Sequence, residues 1–273
     1  MKLKDWLKDN QSLFIDRDLR YLFKNTFGQS PALLLEQEEF LAQEKLDYLE
    51  ELKSDYAKGV PLPYLLGKEE FLGWEFKVNR NVLIPRKETE LVVEKALEVI
   101  KKNRARFVLD LGTGSGNIGI SIKKACDLEV SVFSSDISFE ALCVARQNVV
   151  HHDVKVELVR ADLFKAFKKN SFDLIVANPP YVAPQDIKGS LVYEPREALE
   201  ASCCGFAVIR EILKNAPSCL KKGGYLIIEI GYNHKEMLES ALKELGVYSI
   251  EDWIKDYSGY YRGIVLHLNE SYG

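Results

Sequence analysis

The sequence predicts a doubly wound α/β fold with six parallel strands and one antiparallel edge strand, preceded by a small helical bundle. Three observations predict it. Apolar residues recur at spacings of three and four through roughly the first 70 positions, the signature of amphipathic helices. From residue 106 onward, short apolar runs alternate with helical stretches, which implies a parallel sheet covered on both faces. The last two runs are joined by Asp256-Tyr257-Ser258-Gly259, too short for a crossover helix, so they should pair antiparallel.

In the first part the periodic residues include Trp6, Leu7, Leu19, Leu22, Phe23, Leu33, Phe40, Leu41, Leu46, Leu49 and Leu52. Gly28-Gln29-Ser30-Pro31 and Gly59-Val60-Pro61 punctuate them, with a helix start expected at Ser30-Pro31. Phe71, Trp74, Phe76 and Val78, then Val82, Leu83 and Ile84, read as a β-hairpin turning at Asn79-Arg80-Asn81. Pro85 ends it, and a helix runs from near Thr89 to about Lys102. Strands follow at 107–111, 130–135, 154–159, 172–177, 225–230, 247–252 and 262–268. Helices lie at 117–126, 138–151, 205–221 and 233–245. The expected division is a helical domain over 1–70, a hairpin linker over 71–86 and a sheet domain over 87–273.

Composition narrows the class. The chain is 47% hydrophobic and 29% charged, which excludes global disorder. No apolar run approaches the roughly 18 residues of a membrane span, and Met1–Trp6 has no apolar signal core. A net charge of −4 argues against a protein that grips nucleic acid by its backbone. The five cysteines show no framework spacing and read as free thiols of a cytoplasmic protein. His151 and His152 are adjacent and read as a solvated helix end rather than metal ligands.

Two motifs carry chemistry. Asp110-Leu111-Gly112-Thr113-Gly114-Ser115-Gly116 follows the first parallel strand and opens a helix. Glycines there permit a sharp turn and close approach of a ligand. Asp136, ending the second parallel strand, stands where a ribose hydroxyl pair would be held. Gly114, Gly116 and Gly119 also satisfy the dinucleotide fingerprint, so NAD and a purely structural turn remain alternatives. The carboxylate of Asp110 and the antiparallel strand favour S-adenosylmethionine, a cationic ligand without a pyrophosphate.

The second motif is Asn178-Pro179-Pro180-Tyr181, at the end of the 172–177 strand. Pro179 keeps Asn178 out of the helical region, and the two prolines fix their own φ angles. An amide side chain, freed carbonyls and an aromatic face make a site for a planar N–H₂ group. Such a nitrogen is a poor nucleophile because its lone pair is delocalised. Holding both its N–H bonds would aim that lone pair at a methyl donor. The motif points to N-methylation of a planar amine.

Further segments narrow the amine. Pro61–Gly67, Phe71–Phe76, Val82–Glu90, Asp110–Gly116, Asp136–Ser138, Asn178–Tyr181, Glu194–Leu199 and Asp256–Arg262 resemble the peptide chain release factor glutamine methyltransferases, the HemK/PrmC family. The resemblance spans most of residues 61–265. It implies a class I S-adenosylmethionine-dependent methyltransferase fold. It implies methylation of the glutamine amide in the Gly-Gly-Gln motif of class I release factors. The chain is expected to be a monomer without direct nucleic-acid contact. The resemblance places Gly112, Thr113, Gly114, Ser115, Gly116, Asp136 and Leu163 at the cofactor, with Asn178 beside the methyl donor. Asn178, Pro179, Pro180 and Tyr181 would hold the glutamine, and the N-terminal helices would recognise the protein substrate. Pro63, Lys87, His234 and Glu200–Gly205 depart from the family's usual residues. The competing readings are a ribosomal-protein glutamine methyltransferase, a DNA adenine-N6 methyltransferase acting on a flipped base, and a silent binding module on the same scaffold.

Overall fold

Two periodicities in the sequence become two separately packed units, Met1–Lys68 and Glu69–Gly273. The computed structural model describes residues 1–10, 12–35 and 40–270.

The first unit is helical: α1 (Leu3–Asn10), α2 (Asp16–Phe27), α3 (Pro31–Leu35), α4 (Gln43–Ala57) and α5 (Leu62–Leu66). Trp6, Leu22, Phe23, Leu49 and Leu62 are fully buried in its core. Trp6 cannot be buried without a partner for its indole N–H, and it donates to Glu50 Oε1 at 2.7 Å. Gly28 closes α2 with φ 71°, its N–H returning to the Lys24 carbonyl, and α3 begins at Pro31. Leu33 and Phe40 share the helical spacing but are exposed, so the period overstates the core.

The hairpin pairs β1 (Lys68–Phe71) with β2 (Trp74–Lys77) and turns at Leu72-Gly73, both with positive φ (50° and 77°). A two-residue hairpin turn of this kind requires left-handed conformations, which glycine adopts freely. The hairpin therefore lies earlier than expected. Asn79 does form a turn, its Oδ1 accepting from Asn81 N at 2.9 Å. The Val82-Leu83-Ile84 run beyond it does not form a strand; Val82 and Ile84 are apolar because they are buried.

The remaining elements alternate as expected: α6 (Lys87–Asn103), β3 (Phe107–Leu111), α7 (Asn117–Ala125), β4 (Ser131–Asp136), α8 (Phe139–His151), β5 (Val156–Arg160) and β6 (Phe172–Ala177). After β6 come the single turns α9 (Arg196–Leu199) and α10 (Ser202–Gly205), then α11 (Ala207–Cys219), β7 (Leu220–Glu229), α12 (Lys235–Leu245), β8 (Tyr248–Lys255) and β9 (Tyr261–Leu268). The sheet order is β5-β4-β3-β6-β7-β9-β8. Among the described strands only β9 runs against the rest, inserted near this edge between β7 and β8 and antiparallel to both.

Because side chains alternate along a strand, each central strand feeds two cores. Val108, Leu174, Val176 and Ile227 pack with α6 and α7; Leu109, Ile175, Leu226 and Ile228 pack with α11 and α12. Asn148 of α8, itself buried, ties β2 to the glycine turn. It exchanges hydrogen bonds with the Lys77 backbone and donates to the Ser115 carbonyl at 2.8 Å. His152 is not solvated as its position suggested. Its ring lies 4.6 Å from that of Phe76, and burial lowers its pKa to about 4.

Candidate active site

β3 and β6 are neighbours, yet β3 leads to β4 on one side and β6 to β7 on the other. At such a switch point the departing loops diverge and leave a crevice beyond the carboxyl ends. Leu111 pairs with Ala177, so Gly112 and Asn178 leave the sheet side by side. A cavity of about 320 Å³ opens there.

The glycine turn forms one wall. Gly112, Gly114 and Gly116 have φ of 76°, 53° and 85°, a left-handed region where most residues are strained. The N–H groups of Gly112 and Thr113 both donate to the Ser135 carbonyl at 2.8 Å. A Cβ at Gly112 or Gly114 would meet nothing within 4 Å, so the front of the turn is open. A Cβ at Gly119 would instead collide with Ser134 Oγ, because α7 lies directly on the sheet.

Asp110 sits behind the turn rather than in the cavity wall. It is fully buried, and its Oδ2 accepts from Thr113 Oγ1 (2.5 Å), Gly119 N (3.0 Å) and Ser134 Oγ (3.1 Å). Burial raises its pKa to about 6 against the pull of those donors. Its role is to hold the turn.

Asp136 stands at the cavity rim. Its Oδ2 accepts from Gly114 N at 2.9 Å and its Oδ1 from Ser138 N at 3.0 Å. Burial raises its pKa, against those backbone donors. Capping of α8 falls to Ser138, whose Oγ accepts from Ala141 N, so Asp136 keeps lone pairs for a ligand. Leu163 reaches the cavity with φ 48°, an unusual conformation for leucine at a ligand-facing position.

Asn178 faces the turn. Its Nδ2 donates to Thr89 Oγ1 of α6 at 3.1 Å, which directs its oxygen away from α6. Pro180 joins it in the cavity wall, whereas Gly116, Pro179 and Tyr181 do not line it. Tyr181 is half-buried, and its hydroxyl donates to Glu229 Oε1 at 2.9 Å. Across the cavity, Glu194 is buried, accepts from Ile84 N at 3.1 Å and pairs with Arg86 at 2.5 Å. That clasp joins the segment before α6 to the loop before α9. Sequence reasoning assigned no role to Thr89 or Glu229. The available signal was a carboxylate ending an otherwise apolar strand.

These residues fit an adenosyl cofactor. The open glycine turn admits a ligand backbone closely, Asp136 offers acceptors to a ribose, and Leu163, Ile118 and Ala161 give an apolar wall.

The fold and this site define a class I S-adenosylmethionine-dependent methyltransferase. Residues 89–252 match the family described as Methyltransferase small domain. The chain is 35% identical over 235 residues to the Release factor glutamine methyltransferase of Bordetella pertussis, covering 84% of this chain and 87% of that protein. It is 33% identical over 268 residues to the Bifunctional methyltransferase of Rickettsia typhi, covering 88% of this chain and 51% of that longer protein. A solved methyltransferase from Pyrococcus furiosus, 16% identical, shares the fold with a TM-score of 0.52 over 83% of this chain and 98% of its own. The chain belongs to the release factor glutamine methyltransferase family. Among the described residues, no helix is long and apolar enough to cross a membrane.

Proposed function

We propose that this chain methylates the side-chain amide nitrogen of the glutamine in the Gly-Gly-Gln motif of class I peptide chain release factors, in the cytoplasm where those factors act. The observation that carries the reading is Asn178. Its amide is turned by Thr89 so that an acceptor oxygen faces the crevice beside the glycine turn. The relatives' names support the substrate.

Bound S-adenosylmethionine supplies an electrophilic methyl group on a cationic sulfonium. The chain does the rest. Gly112–Ser115 and Asp136 would hold the cofactor, with Leu163 against its adenine. Asn178 Oδ1 and a proline backbone carbonyl accept the two N–H bonds of the target amide and aim its lone pair, and the displaced amide proton leaves during or after transfer. Pro180 shapes the pocket, and Tyr181 braces the loop from behind through its bond to Glu229. Orientation of this kind lowers barriers by several kcal/mol, up to roughly 7–11 in model systems. The helices of Met1–Lys68 select the protein substrate, since the residues lining the cavity all lie beyond them.

The test is incubation of the purified chain with labelled S-adenosylmethionine and, separately, a release factor, ribosomal protein and DNA. Label should enter the release factor and disappear when its Gly-Gly-Gln glutamine is replaced. Label in ribosomal protein or DNA instead would overturn the assignment.

A further inference from the structure

Behind the cavity wall lies a polar chain that the reaction as described leaves unused. Asn178 Nδ2 donates to Thr89 Oγ1, and the Tyr181 hydroxyl donates to Glu229 Oε1. Thr89 and Glu229 are each 1% exposed. Glu229 Oε2 has no hydrogen-bond partner among the described residues, although the Thr89 hydroxyl beside it favours the charged carboxylate. A buried carboxylate oxygen without a donor is costly. The donor beside it is the Thr89 hydroxyl, which favours the charged form.

The direction of these bonds matters more than their number. An amide can present either its oxygen or its NH₂. A charged carboxylate only accepts, so Thr89 gives Glu229 its single proton. Thr89 is then an acceptor toward Asn178 and draws the NH₂ inward, leaving the oxygen outward. A protonated Glu229 becomes a donor, the Thr89 proton is free to turn toward Asn178, and the amide inverts. An inverted Asn178 offers an NH₂ to the NH₂ of the substrate, two donors face to face.

We infer that Glu229, acting through Thr89, is a positioning residue that fixes the Asn178 amide with its oxygen toward the substrate, and that protonation of Glu229 releases it. The inference rests on the reading of Asn178 as acceptor for the target amide. Burial raises the pKa of Glu229 to about 7; Glu88 of α6 pushes it the same way, while Thr89, Tyr181 and Arg262 of β9 pull it down. Arg262 is itself paired with Asp256 at 2.7 Å and lies 3.8 Å from Glu88. Tyr181 also faces Arg86 and, edge-on at 6.4 Å, the ring of His234. The inversion therefore falls near neutral pH.

The experiment measures single-turnover methylation of release factor at saturating cofactor by the full chain, between about pH 5.5 and 8.5, a range that brackets the transition. The wild-type rate should fall on acidification with a midpoint near 7. Glu229→Gln should lose at least about tenfold at the alkaline end, as for loss of one charge-assisted hydrogen bond, and show a flat profile. Thr89→Ser should keep the wild-type profile and Thr89→Val should match Glu229→Gln. Cofactor affinity of Glu229→Gln should stay within about threefold of wild type, because Glu229 does not line the cavity. A Glu229→Gln protein with wild-type rate and acid fall-off would overturn the inference. If that variant does not fold, an unchanged profile in Thr89→Val overturns it equally. Asn178→Ala in the same assay separates the two ideas. Loss of its rate beside unaltered Glu229→Gln and Thr89→Val sinks the relay alone, whereas a normal Asn178→Ala rate sinks the reading of Asn178 itself.

Discussion

The glycine turn after β3 and the Asn178 loop after β6 leave neighbouring strands at the same level, and they are held in shape by different means. The turn draws its partners from the one βαβα stretch between Asp110 and Asn148. Its glycines supply left-handed backbone, and Asp110 anchors Thr113 and Gly119 three and nine residues away. The Asn178 loop depends on distant partners, with Thr89 separated from Asn178 by 89 residues and Glu229 from Tyr181 by 48. Both loops use a fully buried carboxylate, Asp110 in one and Glu229 in the other. One carboxylate fixes backbone shape; the other orients side chains. The lesson is that a binding cradle can be locally encoded while aim requires the assembled sheet.

Four measurements break or sharpen this contrast. The largest effect concerns Asp110, whose pKa rises from 3.8 to about 6 on folding. A raised carboxylate pKa gives stability that is present below the unfolded value and lost as pH rises through the folded one. At about 1.36 kcal/mol per unit, the loss is about 3 kcal/mol. Urea unfolding across that window should show the wild type losing this amount relative to Asp110→Asn. A pH-independent difference would mean that Asp110 ionises normally despite its burial.

Asn178→Ala comes next. Turnover should drop on the order of 10²-fold, about 2.7 kcal/mol, with little change in cofactor affinity, because the loss falls on alignment rather than binding. Thermal melts run beside single-turnover rates distinguish this from unfolding. Gly119→Ala should cost about 2 kcal/mol of stability, since its Cβ collides with Ser134 and α7 must lift from the sheet; an unchanged melting temperature would contradict the close packing. The smallest effect is that of Asp136→Ala. The cofactor dissociation constant should rise at least about tenfold, about 1.4 kcal/mol, by calorimetry. An unchanged constant would leave Asp136 only its structural bonds to Gly114 and Ser138.

The same contrast explains what could be read in advance. The glycine turn, Asp136 and Asn178, which the structure brings to one cavity, could be picked out because residue type and position along one strand define them. The parallel sheet and its one antiparallel strand followed from the βαβ alternation and the short connection before β9. Thr89 and Glu229 were not legible as site residues. A threonine at a helix start and a charge closing an apolar strand acquire meaning only when α6, β6 and β7 come together. The hairpin was misplaced for a related reason. Asn79-Arg80-Asn81 has the stronger turn composition, yet Leu72-Gly73 makes the turn. Apolarity at Leu83 reflects the cavity it lines rather than strand pairing.

The insertion of β9 between β7 and β8 has a consequence for how the protein is made. Translation delivers β7 and β8 before the strand that joins them. At roughly 5–20 residues per second, a nascent chain spends about a second or more with both strand edges unpaired. Unpaired edges are templates for pairing with other chains, so this interval is where misassembly competes with folding. A product cut short before Tyr261 would also lack Arg262, the cation beside Glu229. Synthesis interrupted there leaves a chain that contains every motif of the cofactor turn and the Asn178 loop but no strand to join β8 to the rest of the sheet.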